Sequence, residues 1–324
     1  MARLWRCSLS TVMAAACLSP AVWAQQTLSQ AEALNWLQRI ATAARQLNYA
    51  GTFFYQHGDA VETSRIIHVV DGGHEIERLE TLDGPKREVI RKDDTVFCYT
   101  PGSRTVRVDR RRPGRSFPQL LPDQLTAVTE HYEVRKLEVE RVAEHDAQVL
   151  ELAPRDALRY GHRFYADAQS GLLLKAKVVA NNQTLEQFAF SQLQIGGNIP
   201  REWLKPSIPM PPPTSAPPSP EALQDSGWVI QSVPAGFRKL MEVRRVREAA
   251  SGGPITHIVF SDGLAAVSVF IEQKRQSVAE GLVTKGPINI YTRVVGDQRI
   301  TVLGETPVVT VKQIADTIEP KTGR

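Results

Sequence analysis

Ala33, Leu37, Ile40, Ala44 and Leu47 recur at helical spacing, and from Tyr49 onward the apolar residues alternate with polar ones. The first pattern predicts an amphipathic helix over residues 30–47, with Trp36 near its apolar face. Ser29, with Glu32 three residues on, marks the helix start as a capping box. The second pattern predicts strands over residues 49–56, 61–70, 74–82, 86–91, 95–99 and 105–108. Between them stand His57-Gly58-Asp59, Asp71-Gly72-Gly73, Asp83-Gly84-Pro85 and Pro101-Gly102. Gly-containing turns this short specify an antiparallel meander, because a parallel crossover needs a dozen or more residues. Gly51 lies inside the first strand, where a glycine marks a bulge or close helix packing.

Residues 118–129 interrupt the strands with a predicted helix or pair of helical turns. Strands resume over 133–142, 147–152, 162–166, 172–179 and 185–193, with residues 167–171 as a hairpin loop. About eleven strands with helices at two points only predict a large curved antiparallel sheet wrapped over helices. Such a sheet encloses an apolar concavity, which is either a lipid or peptide site or is filled by the helices.

Pro206, Pro209, Pro211, Pro212, Pro213, Pro217, Pro218 and Pro220 then sit among Ser, Thr and Ala. A stretch of that composition cannot continue a sheet and forms an extended, partly stiff linker, expected over 205–221. Beyond it, residues 228–232, 240–247, 256–260, 264–272, 288–295 and 298–303 read as strands. Ser261-Asp262-Gly263 and Gly296-Asp297 stand as turns, and 309–318 reads as a closing helix. The C-terminal region is therefore a small antiparallel sheet with one helix. Trp228 and Phe237 read as its core anchors or as contacts between domains.

The N-terminus carries a different pattern. Arg3 and Arg6 precede a short apolar run, Pro20 breaks it, and Ala21-Val22-Trp23-Ala24 ends in a signal-peptidase site. Residues 1–24 are expected to be a cleaved signal peptide, since the run is too short to span a bilayer. Cys17 lacks the larger preceding aliphatic residue of a lipoprotein site. Cleavage leaves Cys98 alone, so no intrachain disulfide is available; within its apolar strand it reads as a buried, inert thiol. The formal charge of +4 includes Arg3 and Arg6. What remains is too small to argue for nucleic acid.

Charge placement says more than the total. Arg104, Arg107, Arg110, Arg111, Arg112 and Arg115 crowd around Pro113-Gly114, opposed only by Asp109. Such a cluster suits bidentate contact with carboxylates or phosphates, or is simply a solvated loop. Arg244, Arg245 and Arg247 form a second basic group. His57, His68, His74, His131, His145, His162 and His257 are dispersed without metalloprotease spacing, although His68 and His74 flank one turn. No hydrolase elbow and no phosphate-cradling loop is present. Glu75, Glu77 and Glu80 read as a solvated sheet face beside Arg78. No enzyme, metal or cofactor is expected.

Several runs together resemble one family. These are Tyr49-Ala50-Gly51-Thr52-Phe53, the stretch from Glu77 to Gly84 leading to Arg87-Glu88, Tyr160-Gly161-His162-Arg163-Phe164, and Ser170-Gly171-Leu172-Leu173. In the small domain they are Trp228 to Phe237, His257 to Leu264 and Val267 to Phe270. Their order, the linker and the domain sizes resemble the periplasmic regulators of the RseB/MucB family, over essentially the whole mature chain.

The resemblance implies a mainly β protein. Residues 25–204 would form an unclosed barrel like those of LolA and LolB, sensing lipid, and residues 222–324 a small domain that binds an anti-sigma factor. It implies a periplasmic partner segment of the RseA/MucA type, shielded from the first protease of the envelope-stress cascade. Lipopolysaccharide or another lipid would release it, with alginate control as the output in pseudomonad relatives. Either arginine group would suit a lipid headgroup or an acidic partner segment. A homodimer is compatible with this reading, and a periplasmic lipid or lipoprotein carrier is the alternative to it.

Overall fold

A computed structural model describes residues 26–102, 107–110, 116–208, 221–222, 225–245, 253–274 and 279–321. The expected signal peptide and most of the expected proline linker lie outside these residues.

The first helix, α1, spans Gln30–Gln46 and is started by Ser29, whose hydroxyl accepts from the Glu32 amide while the Glu32 carboxylate accepts from the Ser29 amide at 2.9 Å. Its buried stripe is Ala33, Leu37, Ile40, Ala43 and Ala44. These side chains pack against Tyr49, Phe53, Ile66, Leu150, Phe164 and Phe190 of a 12-stranded antiparallel sheet. Two meanders build that sheet. One runs through Tyr49–His57, Ala60–Asp71, His74–Thr81, Glu88–Lys92, Thr95–Tyr99 and Arg107–Arg110, and the other through Tyr132–Val142, His145–Pro154, Gly161–Asp167, Leu173–Ala180 and Gln183–Ile195. The last strand of the second pairs with the first strand of the first, placing Phe190 opposite Phe53 and Phe188 opposite Tyr55. Gln26–Thr27 forms one edge and Arg107–Arg110 the other, so the sheet is unclosed among the described residues.

Gly51 stands next to a bulge, and its close contact is with the paired strand and not with a helix. The register shifts between Phe190 and Gln192, opposite the neighbouring Thr52 and Phe53, and a Cβ at Gly51 would run into the Gln192 carbonyl oxygen. The interruption over 118–129 is shorter in helix than expected: α2 is only Thr126–His131, preceded by loop.

Three readings are corrected. Glu77 is 1% exposed and Arg78 7%, so this is not a solvated face. The outer side of the sheet is covered by residues 199–208, whose Ile199 and Leu204 pack on Ile67 and Val69. Under that cover Arg78 reaches Glu80 and Glu88 at 3.2 Å and the Trp203 carbonyl, while Glu77, on the opposite face of the strand beside His68, pairs with Arg91. Glu88 accepts from the Ser207 amide at 2.8 Å. Cys98 is half-buried, not buried. His68 and His74 do not meet. The buried His68 ring stacks on Tyr49 with centroids 4.6 Å apart and contacts the Leu47 carbonyl and Glu75, whereas His74 pairs with Asp93.

The C-terminal region is a separate 7-stranded antiparallel sheet with one helix, α3, over Val308–Asp316. Val311, Ile314 and Ala315 of α3 pack on Val267, Val269, Ile300 and Val302. A strand absent from the sequence reading, Gly281–Lys285, forms one edge; Trp228–Ile230 pairs instead with Ile318–Pro320. The strand expected over 240–247 runs over Arg238–Arg245, and the one expected from 264 begins at Ala266. Leu264 is thereby left in a turn.

Candidate functional site

Leu264 is 6% exposed because it enters the core of the large sheet, beside Leu121, Leu125, Val128 and Tyr132. Around it the two sheets make polar contact. The Arg159 guanidinium donates to Asp262 at 3.0 Å, to the Ala235 carbonyl at 2.6 Å and to both carboxylate oxygens of Asp156. It lies between the rings of Tyr132 and Phe237, at 5.8 and 5.4 Å. Asp262 also accepts from the Tyr132 hydroxyl and, through its other oxygen, from the Leu264 and Ala265 amides. Thr310 donates to the Leu158 carbonyl, and Asn289 to the Tyr160 hydroxyl. Gly236, at φ +83°, stands where a Cβ would overlap the His131 ring, so the two backbones approach closely there. Phe237 is accordingly both core anchor and interdomain contact.

This junction floors a cleft of about 1070 Å³. Leu120, Phe164 and Phe188 line it from the large sheet, and Leu240, Leu264 and Leu303 from the small one. Phe117 stacks on Phe188 at 5.6 Å and backs this wall against Phe53 and Phe190. The helices therefore fill only part of the concave side. Walls of this kind suit an apolar chain or extended peptide, with a few polar groups to orient it.

The polar groups include both signs, with Arg45, Lys177 and Arg238 beside a larger set of carboxylates. Glu186, 5% exposed, accepts from the Tyr55 hydroxyl at 2.7 Å, and Glu305 of the small sheet lines the same cleft. Burial pushes the Glu186 carboxyl up to about 7, and the charge of Glu305 adds to the shift, against the Tyr55 bond and His57. Burial also raises the Tyr55 hydroxyl, assisted by its bond to Glu186. Among the described residues no group of three His, Cys, Asp or Glu is placed to hold a metal ion.

The arginines singled out from the sequence are not brought into this cleft by anything the structure describes. Arg104, Arg111, Arg112, Arg115 and Arg247 lie outside the described residues, and for Arg107, Arg110 and Arg245 only the backbone strand is described. Arg244 is exposed and pairs with Thr256 in the sheet register. The residues the sequence reading missed are Tyr55, Arg159, Glu186 and Asp262. Asp262 alone carried a signal, as part of a turn, and that signal concerned its own hairpin.

Two sheets meeting across an apolar-walled cleft, with a buried polar junction between them, define a two-domain β protein. The sequence places it more narrowly. Residues 32–208 match the MucB/RseB N-terminal domain and residues 222–319 the MucB/RseB C-terminal domain. The chain belongs to the MucB/RseB family. The sigma factor AlgU regulatory protein MucB of Pseudomonas aeruginosa is 32% identical over 299 residues, covering 90% of this chain and 92% of MucB. The complex structure of P. aeruginosa MucA/MucB superposes with a TM-score of 0.73 at 29% identity, covering 90% of this chain and 100% of that one. A structure of MucB in complex with MucA(peri) gives 0.71 over the same shares at the same identity. The relatives are sigma factor regulatory proteins. No helix among the described residues is long and apolar enough to cross a membrane.

Proposed function

We propose that this chain is a periplasmic negative regulator of an extracytoplasmic stress response of the sigma-E/AlgU type. It holds the periplasmic segment of a MucA/RseA-type anti-sigma factor and hides that segment from the first cleaving protease. The observation that carries the reading is the match of both domains to the family, together with superposition on relatives solved with MucA. The cleft between the sheets is the surface best suited to the partner. It is apolar-walled and lined by both domains. Residues 1–24 act as the export signal, and residues 25–204 and 222–324 act as domains joined through 205–221. Occlusion requires no catalytic group, so the chain acts as a binder and not as an enzyme.

Release follows from competition. Lipopolysaccharide or a related lipid engages the chain through its acyl groups in the apolar cleft and through its phosphates at Arg104, Arg107, Arg110, Arg111, Arg112 and Arg115, which supply bidentate donors. The test is capture of an anti-sigma periplasmic fragment by the mature protein, followed by exposure of the complex to the cognate protease with and without lipopolysaccharide. Capture, protection and lipid-dependent loss of both are expected; absence of capture across a range of salt refutes the reading. Replacement of Arg110, Arg111 and Arg112 by Ser is expected to weaken lipid binding and leave the fold intact. Unchanged affinity for lipid and for partner removes the cluster from the proposal.

A further inference from the structure

A buried charged pair lies at the junction, and one of its members, Asp262, also lines the cleft. Arg159 sits on the loop between His145–Pro154 and Gly161–Asp167 of the large sheet, and Asp262 on the turn between Ile255–Ser261 and Ala266–Gln273 of the small one. Both side chains are 0% exposed. Arg159 is held from its own domain by both Asp156 oxygens at 3.0 and 3.1 Å, and from the other by Asp262 and the Ala235 carbonyl. Asp262 is held in turn by two amides of its own turn at 2.8 Å and by Tyr132 across the junction.

A buried ion pair of this kind adds little stability relative to apolar side chains of the same volume, because desolvation offsets the attraction. What it adds is direction. Leu264 in an apolar socket tolerates rotation of one sheet against the other, whereas a planar guanidinium engaged from both domains at fixed angles does not. The groups that hold the pair also adjoin the cleft. Gly236 and Arg238 flank the Phe237 ring, Ser261, Gly263 and Leu264 flank Asp262, and all five line the cavity. A rotation at this contact therefore widens or narrows the cleft directly.

We propose that Arg159 and Asp262 are positioning residues that set the angle between the two sheets and keep the cleft at its binding width before any partner arrives. Preorganisation of this kind raises affinity by removing the ordering step from association. The consequence for partner binding rests on the functional reading above; the consequence for domain angle does not.

The experiment uses the whole mature protein in two variants. Asp262→Asn keeps an oxygen for the turn amides and removes the charge. Arg159→Met with Asp262→Asn removes both charges, so it remains informative if the single variant fails to fold. Small-angle X-ray scattering reads the domain angle, and titration with an anti-sigma periplasmic fragment reads the cleft. Expected are native circular dichroism, a broadened distance distribution and affinity lowered by about tenfold or more. A folded double variant with wild-type scattering overturns the proposal. A changed scattering profile with fragment affinity within about twofold of wild type overturns the link between angle and cleft width. If the wild type binds no fragment, the functional reading fails while the scattering comparison still decides the role of the pair.

Discussion

Tyr55 and Glu186 stand diagonally across neighbouring strands, and the phenol donates to the carboxylate at 2.7 Å on the wall of the cleft. The bond joins the two meanders of the large sheet at the point where Glu305 of the small sheet brings a second carboxylate.

Glu186 therefore makes stability depend on pH. Its carboxyl holds its proton up to about 7 in the folded chain, against an ordinary value of 4.5. The folded state binds more protons between those values, so stability falls as pH rises through that window and levels off above it. Glu88 and Glu242 are raised by burial but brought below the ordinary value by their combined hydrogen bonds and cationic neighbours, and act with the opposite sign below the ordinary carboxylate range. Urea unfolding at pH 5 and pH 8 should show the wild type losing stability, and Glu186→Gln should lose less. Parallel pH profiles for the two proteins would rule Glu186 out as the source.

Gly51→Ala should destabilise the large sheet by about 1–3 kcal/mol, because the new methyl group meets a backbone oxygen of the paired strand and the Phe190 ring. Denaturant midpoints measure it. A neutral result would mean that the bulge beside Gly51 can shift.

Ser29→Ala removes the acceptor for the Glu32 amide at the start of α1 and should lower stability by about 1 kcal/mol. Since α1 supplies the inner layer of the large core, the loss should appear in the global unfolding transition and not as local fraying. Hydrogen exchange along 30–46 distinguishes the two.

Leu264→Ala leaves a cavity where the small sheet enters the large core and should cost about 2–5 kcal/mol. Calorimetry should show the small sheet melting ahead of the large one. A single transition at the wild-type temperature would show that the polar contacts around Arg159 suffice by themselves.

Local pattern was readable wherever one element decides it. The stripe Ala33, Leu37, Ile40 and Ala44 and the Ser29/Glu32 pair specify α1 without reference to anything distant, and Gly-containing turns specify which strands are neighbours within each meander. The joining of Gln183–Ile195 to Tyr49–His57 has no such signal, since it depends on two segments far apart in sequence whose alternation would suit many partners. The same holds for charge. Glu77 and Arg78 alternate like a solvated strand, yet Arg78 is buried under residues 199–208 beside Glu88, and Glu77 is buried on the inner face beside Arg91. Asp262 resembles any turn aspartate; its role depends on Arg159, 103 residues earlier. Gly281–Lys285 escaped notice because four of its five residues are exposed, so no apolar alternation marks it.

The seating of Leu264 within the large core makes the two halves of the chain a complex in their own right. A single cut in the backbone anywhere from 209 to 220 should leave both fragments together on a sizing column, held as a non-covalent heterodimer. The proline-rich stretch then serves chiefly to keep the halves at high local concentration during folding, and the finished protein should survive a nick there with its cleft still whole.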